Sequence, residues 1–181
     1  MVKTDKYHGI VFGGGDAPVN AQPVGGIFRQ PAPYKLRTIG AEAGYNIKAI
    51  DYGQEFSSEQ LNQVLKNLVT KETLFVGISC QHFAPSHLES GMFEIYNAIF
   101  KFRKSSGFNY QIAMGGMKAV LLKNNWMEWD WIFTGYVDYD FVQWLHYLSG
   151  KSNILQWKIM HEKYKWIDGD NNPANFTKQI T

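Results

Sequence analysis

Glycines and small polar residues follow four of the predicted strands, and the sequence could bind a ligand at these positions. Glycine lets a ligand approach the backbone closely, and free N–H groups at the start of a helix suit phosphate groups. A tight turn explains any one of these loops equally well, but the same pattern at four strand ends favours a binding edge. The predicted ligand-binding residues are Gly13, Gly14, Gly15, Asp16, Ser79, Gly115, Gly116, Gly135 and Tyr136.

The motifs of common enzyme classes are missing from the sequence. The triple glycine does not complete G-x-G-x-x-G, no P-loop lysine follows it, and there is no G-x-S-x-G elbow. Cys80 and His82 could form a nucleophile and a base, but no acidic residue follows to orient the histidine, so a buried structural thiol is the better interpretation. The five histidines lack the spacing of metal ligands. We therefore predict no catalytic residue and no metal ligand in this chain.

Composition and charge narrow the class of protein. Hydrophobic residues make up 45% of the 181 positions and charged residues 19%, which is typical of a folded globular chain. The net charge of +2 gives no basis for nucleic-acid binding. One cysteine excludes an internal disulfide and an iron–sulfur cluster held by this chain alone. Without an apolar run of signal or membrane length, we expect a cytoplasmic protein with no membrane contact.

The six tryptophans all fall in the last third of the chain. The favoured interpretation is a core and an interface with a neighbouring domain, and an aromatic wall for a planar ligand is the alternative. The tryptophans are Trp126, Trp129, Trp131, Trp144, Trp157 and Trp166.

Strand and helix patterns alternate five times, which predicts an α/β fold with a doubly wound, five-stranded parallel sheet of the Rossmann or flavodoxin-like type. The run over 73–79 is continuously apolar, as expected of a strand covered on both faces. The predicted strands cover residues 7–12, 46–52, 73–79, 110–114 and 131–134.

Helix signals separate these strands. A helix over 34–43 ends at Gly44, and capping boxes at Ser57/Gln60 and Ser86/Glu89 start two more helices, the second ending at Gly107. A short helix over 117–123 follows, and Asp138 or Asp140 is expected to cap the last one. Residues 16–33 are rich in glycine and proline and have no hydrophobic period, so we predict a long loop there, and we predict a small hairpin after residue 150.

The order of these motifs resembles the cobalamin-binding domain that precedes the catalytic barrel in many radical S-adenosylmethionine enzymes. The resemblance covers residues 7–150, and residues 151–181 resemble the hairpin and linker that lead to the barrel. The four motifs together are moderately specific for this family, whereas each motif alone is weak evidence. It rests on the helix-to-strand segment 34–51, on Val76-Gly77-Ile78-Ser79, on Met114-Gly115-Gly116 and on Thr134-Gly135-Tyr136.

This resemblance implies a small-molecule cofactor, cobalamin, bound by its nucleotide tail. In the family, the serine and the paired glycines at the positions of Ser79, Gly115 and Gly116 line the tail, and a glycine at the position of Gly135 floors that pocket. The partner would be a catalytic barrel, in cis or in trans, which would carry S-adenosylmethionine and a 4Fe-4S cluster.

Two departures from the family limit what this segment can do. The D-x-H-x-x-G motif is missing, so no residue here is predicted to ligate cobalt. The C-x-x-x-C-x-x-C cluster motif is missing too, since Cys80 is the only cysteine. We therefore expect the N-terminal part of a longer enzyme, or a free-standing relative, that is not catalytic by itself.

Two other functions stay open at this stage. One is an interaction domain of the same fold that has lost cofactor binding, with the tryptophans docking a partner and Phe28 and Arg29 plugging the pocket. The other is a nucleotide-binding enzyme, which is the less supported because no phosphate loop is present.

Overall fold

The computed structural model describes residues 6–15, 31–82, 88–116, 119, 128–153, 155, 158–161 and 164–169. Within this part of the chain, seven strands form one sheet in the order β2-β1-β3-β4-β5-β7-β6. The strands are β1 Gly9–Gly15, β2 Ile47–Ile50, β3 Phe75–His82, β4 Gln111–Gly115, β5 Trp131–Thr134, β6 Lys158–His161 and β7 Tyr164–Asp168.

Six of these strands are parallel, and β6 alone pairs antiparallel, with β7. The α/β class and the parallel sheet are therefore confirmed, but the predicted number of five parallel strands was wrong. The extra strand is β7, which the sequence pattern placed in a separate hairpin. In the structure the hairpin extends the main sheet, because β7 pairs with β5 along residues 165–168.

The order of the first five strands, 2-1-3-4-5, is consistent with a flavodoxin-like sheet. The chain reverses its direction of winding between β1 and β3. In open parallel sheets ligands bind beyond the carboxyl ends of the strands, next to such a reversal.

Four helices among the described residues cover the two faces of the sheet. Helices α2 and α3 pack on one face around Leu65 and Ile95, and α1 and α4 pack on the other around Leu36 and Leu145. The sheet is therefore doubly wound, as predicted. The helices are α1 Pro31–Glu42, α2 Ser58–Leu68, α3 Leu88–Ser106 and α4 Asp138–Leu148. None of them is long and apolar enough to cross a membrane.

Local signals at the helix ends are confirmed in part. The Ser57 hydroxyl accepts from the backbone N–H of Gln60 at 3.2 Å, and the Gln60 side chain accepts from the Ser57 N–H at 2.8 Å. Gly44 and Gly107 have φ values of 84° and 72°, as helix-ending glycines should.

The expected aspartate cap of the last helix was wrong. Val137 is the N-cap of α4, and no side chain caps it, while Asp138 stands inside the first turn. Its carboxylate forms an ion pair with Lys35 of α1 instead. Of the predicted loop over 16–33, residues 16–30 lie outside the described residues, and residues 31–33 belong to the first turn of α1, so the predicted end of the loop was wrong. The capping residue Ser86 and all of the short helix over 117–123 except Ala119 also lie outside the described residues.

A buried tyrosine ties α3 to β4. The Tyr110 hydroxyl is fully buried and donates to the Ile99 carbonyl at 2.7 Å. Burial raises the pKa of Tyr110 above its usual range, and burial likewise raises the pKa of Tyr96. For Tyr110, burial outweighs the opposing attraction of the Arg103 charge, so the fold favours the protonated form.

Stability is therefore expected to fall in alkali. The folded state binds the Tyr110 proton more tightly than the unfolded chain, so its contribution is complete below pH of about 10 and is lost as the pH rises above that value. We expect Tyr110→Phe to lower the free energy of unfolding by about 1 kcal/mol at neutral pH and to flatten its decline in alkali. Urea unfolding at neutral pH and at a pH above about 10 measures the free energy of unfolding of each variant. Tyr139→Phe, at an exposed tyrosine, is the matched control, and equal alkaline slopes in the two variants would contradict the prediction.

Candidate functional site

A cavity of about 730 Å³ opens at the carboxyl ends of the central strands. It lies between the sheet and the first turns of α1 and α4, and residues of β3, β4, β5 and β7 line it. Pockets for small molecules have volumes of about 300–1,000 Å³ and occur at this edge of α/β sheets. The cavity is therefore large enough for one small organic group.

The floor of the cavity exists because small residues of neighbouring strands lie side by side. In the parallel register Gly77 pairs with Val11 and with Ala113, and one step further along the strands Ser79 pairs with Gly13 and with Gly115. Residues two apart in a strand face the same side of the sheet. The face toward α1 and α4 thus carries little side-chain volume at this end of β3 and β4.

Neither Gly77 nor Gly115 is required by its own backbone or neighbours. A methyl group on Gly77 would first meet other atoms at 3.5 Å, and one on Gly115 at 3.6 Å, which are ordinary contact distances. Neither residue has a positive φ. Glycine inside a strand weakens it and often marks a close approach by a ligand, so both positions favour an open floor over a packing constraint.

Gly116 and Gly135 differ from these two glycines. Their φ values of 115° and 69° are ones that L-residues rarely adopt. For these two positions the turn itself explains the glycine. At position 169 a close contact explains the glycine, because a Cβ on Gly169 would lie 2.1 Å from the Tyr136 carbonyl oxygen. The segment after β7 therefore packs directly against the loop after β5.

Aromatic rings form one wall of the cavity. The Trp144 ring centroid lies 4.9 Å from those of Phe75 and Phe133, and Phe141 packs 5.8 Å from Phe75. All four residues line the cavity. This wall is apolar and built from flat groups, and it suits a planar aromatic or aliphatic ligand group.

The four described tryptophans pack in the core, line the cavity, or do both. Trp129 and Trp131 are no more than 1% exposed and belong to the cores on opposite faces of the sheet, whereas Trp144 and Trp166 line the cavity. Trp126 and Trp157 lie outside the described residues. Trp144 is also 0% exposed and belongs to the core under α1 and α4, so the core interpretation describes Trp129, Trp131 and Trp144, and an aromatic wall for a planar ligand stays a prediction.

Polar groups lie at the margin of the cavity. The Lys35 ammonium lies 2.6 Å from the Asp138 carboxylate, and Asp138 is 7% exposed. The Thr134 hydroxyl accepts from the Trp166 indole N–H at 2.7 Å and donates to Asp168 at 3.5 Å. One ammonium and two carboxylates among these lining side chains give a net negative charge, which does not favour a phosphate deep in the cavity.

The structure brings five of the predicted ligand-binding residues to one cavity. Ser79, Gly115, Gly116, Gly135 and Tyr136 all line it.

The other predicted residues come from the first strand and its loop. Gly13, Gly14 and Gly15 end β1 and are not among the described lining residues, and Asp16 lies outside the described residues. That these nine residues bind a cofactor stays a prediction.

Several lining residues were missed from the sequence. Gly77 and Ala113 stand two positions before Ser79 and Gly115, so strand alternation alone could have assigned them to the same face. Lys35, Asp138 and Trp144 lie on helices, and only the packing of α1 and α4 over the strand ends brings them to the cavity. No local signal in the sequence marks these three.

Cys80 faces away from the cavity. It is fully buried in the core under α2 and α3, and its thiol contacts the Gly115 carbonyl at 3.0 Å. This position fits a structural thiol. The side chain of His82 lies outside the described part of the chain. Within that part, no three His, Cys, Asp or Glu side chains cluster closely enough to hold a metal ion.

The open floor predicts how glycine substitutions in the sheet affect stability. We expect Gly77→Ala and Gly115→Ala to fold and to raise the free energy of unfolding by about 0.4–1 kcal/mol, because alanine fits the backbone and restricts the unfolded chain. Gly9→Ala is the matched control in β1: its methyl group would lie 2.1 Å from the Phe75 ring, so a loss of about 1–3 kcal/mol is expected. Urea titration of the three variants measures this. A comparable loss in all three would mean that the floor is closed.

Comparison of the chain with protein-family models, with curated proteins and with solved structures finds no match. The geometry and chemistry of the cavity are therefore the basis for assigning a function.

Proposed function

We propose that this chain binds a cobalamin-type cofactor, with the base of the cofactor's nucleotide tail in the cavity, and with the phosphodiester of the tail and the corrin ring outside it, over the carboxyl ends of the strands. One observation carries the proposal. Ser79, Gly115-Gly116 and Gly135-Tyr136, which come from three separate strand ends, all line one cavity of about 730 Å³.

The shape of the cavity supports a flat guest. Gly77, Ala113 and Gly115 leave the floor free of large side chains, and the rings of Phe133 and Trp144 stand beside it. A benzimidazole-type tail base has an apolar, planar surface that would pack against such rings. The cavity could hold the base of the tail but is too small for the whole cofactor, which fits a corrin ring that stays outside at the edge of the sheet.

Hydrogen-bonding groups at the margin support the same ligand. Ser79 is 5% exposed and lines the cavity, while Asp138 and Asp168 offer carboxylate oxygens. Such oxygens accept hydrogen bonds from ribose hydroxyls and from the side-chain amides of a corrin ring.

Cobalamin, when bound, supplies a cobalt centre that can carry a methyl group. In this proposal the chain is the cofactor-holding module of a radical S-adenosylmethionine enzyme, and its own residues bind the tail and exclude water from it. The catalytic barrel, with its iron–sulfur cluster, would be the partner. No step of the reaction is assigned to a residue of this chain.

An interaction domain is the second candidate, and two exposed rings favour it. Tyr136 is 48% exposed and Tyr139 is 41% exposed, and Tyr136 lies at the cavity. The tryptophans of the original interaction hypothesis are less suited to docking, because Trp129, Trp131 and Trp144 are buried. Phe28 and Arg29, the residues expected to plug the pocket, lie outside the described residues.

Retention of hydroxocobalamin tests the proposal. The purified protein is mixed with hydroxocobalamin and desalted, and we expect a coloured eluate with a shifted visible spectrum. Cobinamide, a corrinoid that has no nucleotide tail, should elute separately from the protein, because the tail supplies the buried contact. Gly77→Val and Gly115→Val should each abolish retention, since valine fills the floor.

Ala41→Val is the matched control, because Ala41 is exposed on α1, away from the cavity lining. Circular dichroism of each variant checks that it is folded. A colourless wild-type eluate would count against cofactor binding. Equal retention by the folded valine variants would place any bound cobalamin elsewhere than in this cavity.

A further inference from the structure

The C-terminal hairpin of β6 and β7 forms an edge of the sheet that reaches the cavity. Among the described strands β6 pairs with β7 alone, and β7 pairs with β5 along residues 165–168. At the start of this pairing the Lys165 N–H donates to the Asp130 carbonyl at 3.1 Å. At its end the Gly169 N–H donates to the Thr134 carbonyl at 3.1 Å. A hairpin attached along one strand can separate from a sheet as a unit while the rest of the domain stays folded.

The same hairpin supplies one side of the cavity. Trp166 and Asp168 of β7 line it, and the Trp166 indole N–H donates to the Thr134 hydroxyl at 2.7 Å. These side chains reach the cavity only while β7 is paired with β5. Separation of the hairpin would remove both lining residues and open this side of the cavity to water. A ligand that contacts this side therefore binds the paired form more tightly than the separated form.

Gly169 fixes the end of β7 against the loop that follows β5. A Cβ on Gly169 would lie 2.1 Å from the Tyr136 carbonyl oxygen and 2.9 Å from the Val137 side chain. The two segments thus leave no room for a side chain between them. Tyr136 and Val137 line the cavity and lead directly into Asp138, in the first turn of α4. The position of this part of the lining therefore depends on where β7 ends.

We propose that ligand binding and docking of the β6–β7 hairpin stabilise each other. The cavity holds its ligand while the hairpin is paired with β5, and an occupied cavity keeps the hairpin paired. The ligand favours docking by the same factor by which docking favours the ligand, because the two equilibria share one coupling free energy. This inference rests on the proposed function for the ligand. It makes the C-terminal hairpin the part of the fold through which binding is regulated.

The opposite edge of the sheet provides an internal control. β2, over Ile47–Ile50, is the other edge strand and pairs with β1 alone. All four of its residues are described, and none of them lines the cavity. A ligand that stabilised only the fold as a whole would affect both edges alike, whereas coupling to the hairpin acts on β7.

Hydrogen exchange of the unmodified protein tests the coupling. The exchange rates of the Lys165 and Gly169 amides are measured by NMR without ligand and with hydroxocobalamin at a free concentration of about one hundred times its Kd. We expect both amides to exchange about a hundredfold more slowly with the ligand, because a ligand that binds only the docked form reduces opening by the factor 1 + [L]/Kd. The exchange of the β2 amides should change little.

Gly169→Ala tests the contact between β7 and the loop. Its methyl group does not fit beside the Tyr136 carbonyl, so the β7 amides should exchange about fivefold to a hundredfold faster, and the Kd for hydroxocobalamin should rise. Gly107→Ala is the matched control, because Gly107 has a φ of 72° and its added methyl group would have no contact within 4 Å, so its strain acts away from the hairpin. If Gly169→Ala does not fold, Trp166→Phe, which removes the hydrogen bond to Thr134, should give a smaller acceleration of the same amides.

The results separate this inference from the proposed function. If hydroxocobalamin does not bind, benzimidazole, a flat ring of the size of the tail base, replaces it as the probe. Slower exchange of β7 with benzimidazole then supports the coupling although the cobalamin proposal fails. Retained hydroxocobalamin with unchanged exchange of β7 has the opposite meaning. Equal slowing of β7 and β2, binding of neither probe, or equal acceleration of β7 by Gly169→Ala and Gly107→Ala would overturn the inference.

Discussion

The parallel register of the central strands is the constraint on which the cavity depends. It places Gly77 beside Ala113 and Ser79 beside Gly115, all on the face that α1 and α4 cover. The helices do not close over these small residues, because the rings of Phe75, Phe141 and Trp144 fill the layer next to them and fix the distance between helix and sheet. Close packing at one end of the layer thus leaves the other end open.

This arrangement lowers the stability of the empty fold. Glycine in a strand costs about 0.5–1 kcal/mol relative to alanine, and an unpaired buried donor such as the Trp144 N–H costs about 1–3 kcal/mol. Each cost is considerable beside a net stability of about 5–15 kcal/mol for a typical domain. A ligand that packed on the floor would offset the cost of the glycines, so the same residues that weaken the unbound domain would favour the bound one.

The sequence predicted the elements of the fold better than their pairing. Apolar runs and turn residues identified the first five strands, and the Ser57 capping box identified the start of α2, because these signals depend on residues close together in the chain. The capping role of Asp138 was predicted wrongly, since its ion pair with Lys35 arises only where α4 packs beside α1. Sequence patterns found the glycines that line the cavity at the strand ends, but the aromatic wall required strand register and helix packing, which are long-range.

The C-terminal hairpin shows why the missing long-range information matters for function. The hairpin was expected to be a connection to another domain, yet β7 joins the sheet beside β5 and brings Trp166 and Asp168 to the cavity. The Trp166 N–H then donates to the Thr134 hydroxyl at 2.7 Å, and this hydroxyl makes a long contact of 3.5 Å to the Asp168 carboxylate. The cavity wall is therefore completed by residues after position 150.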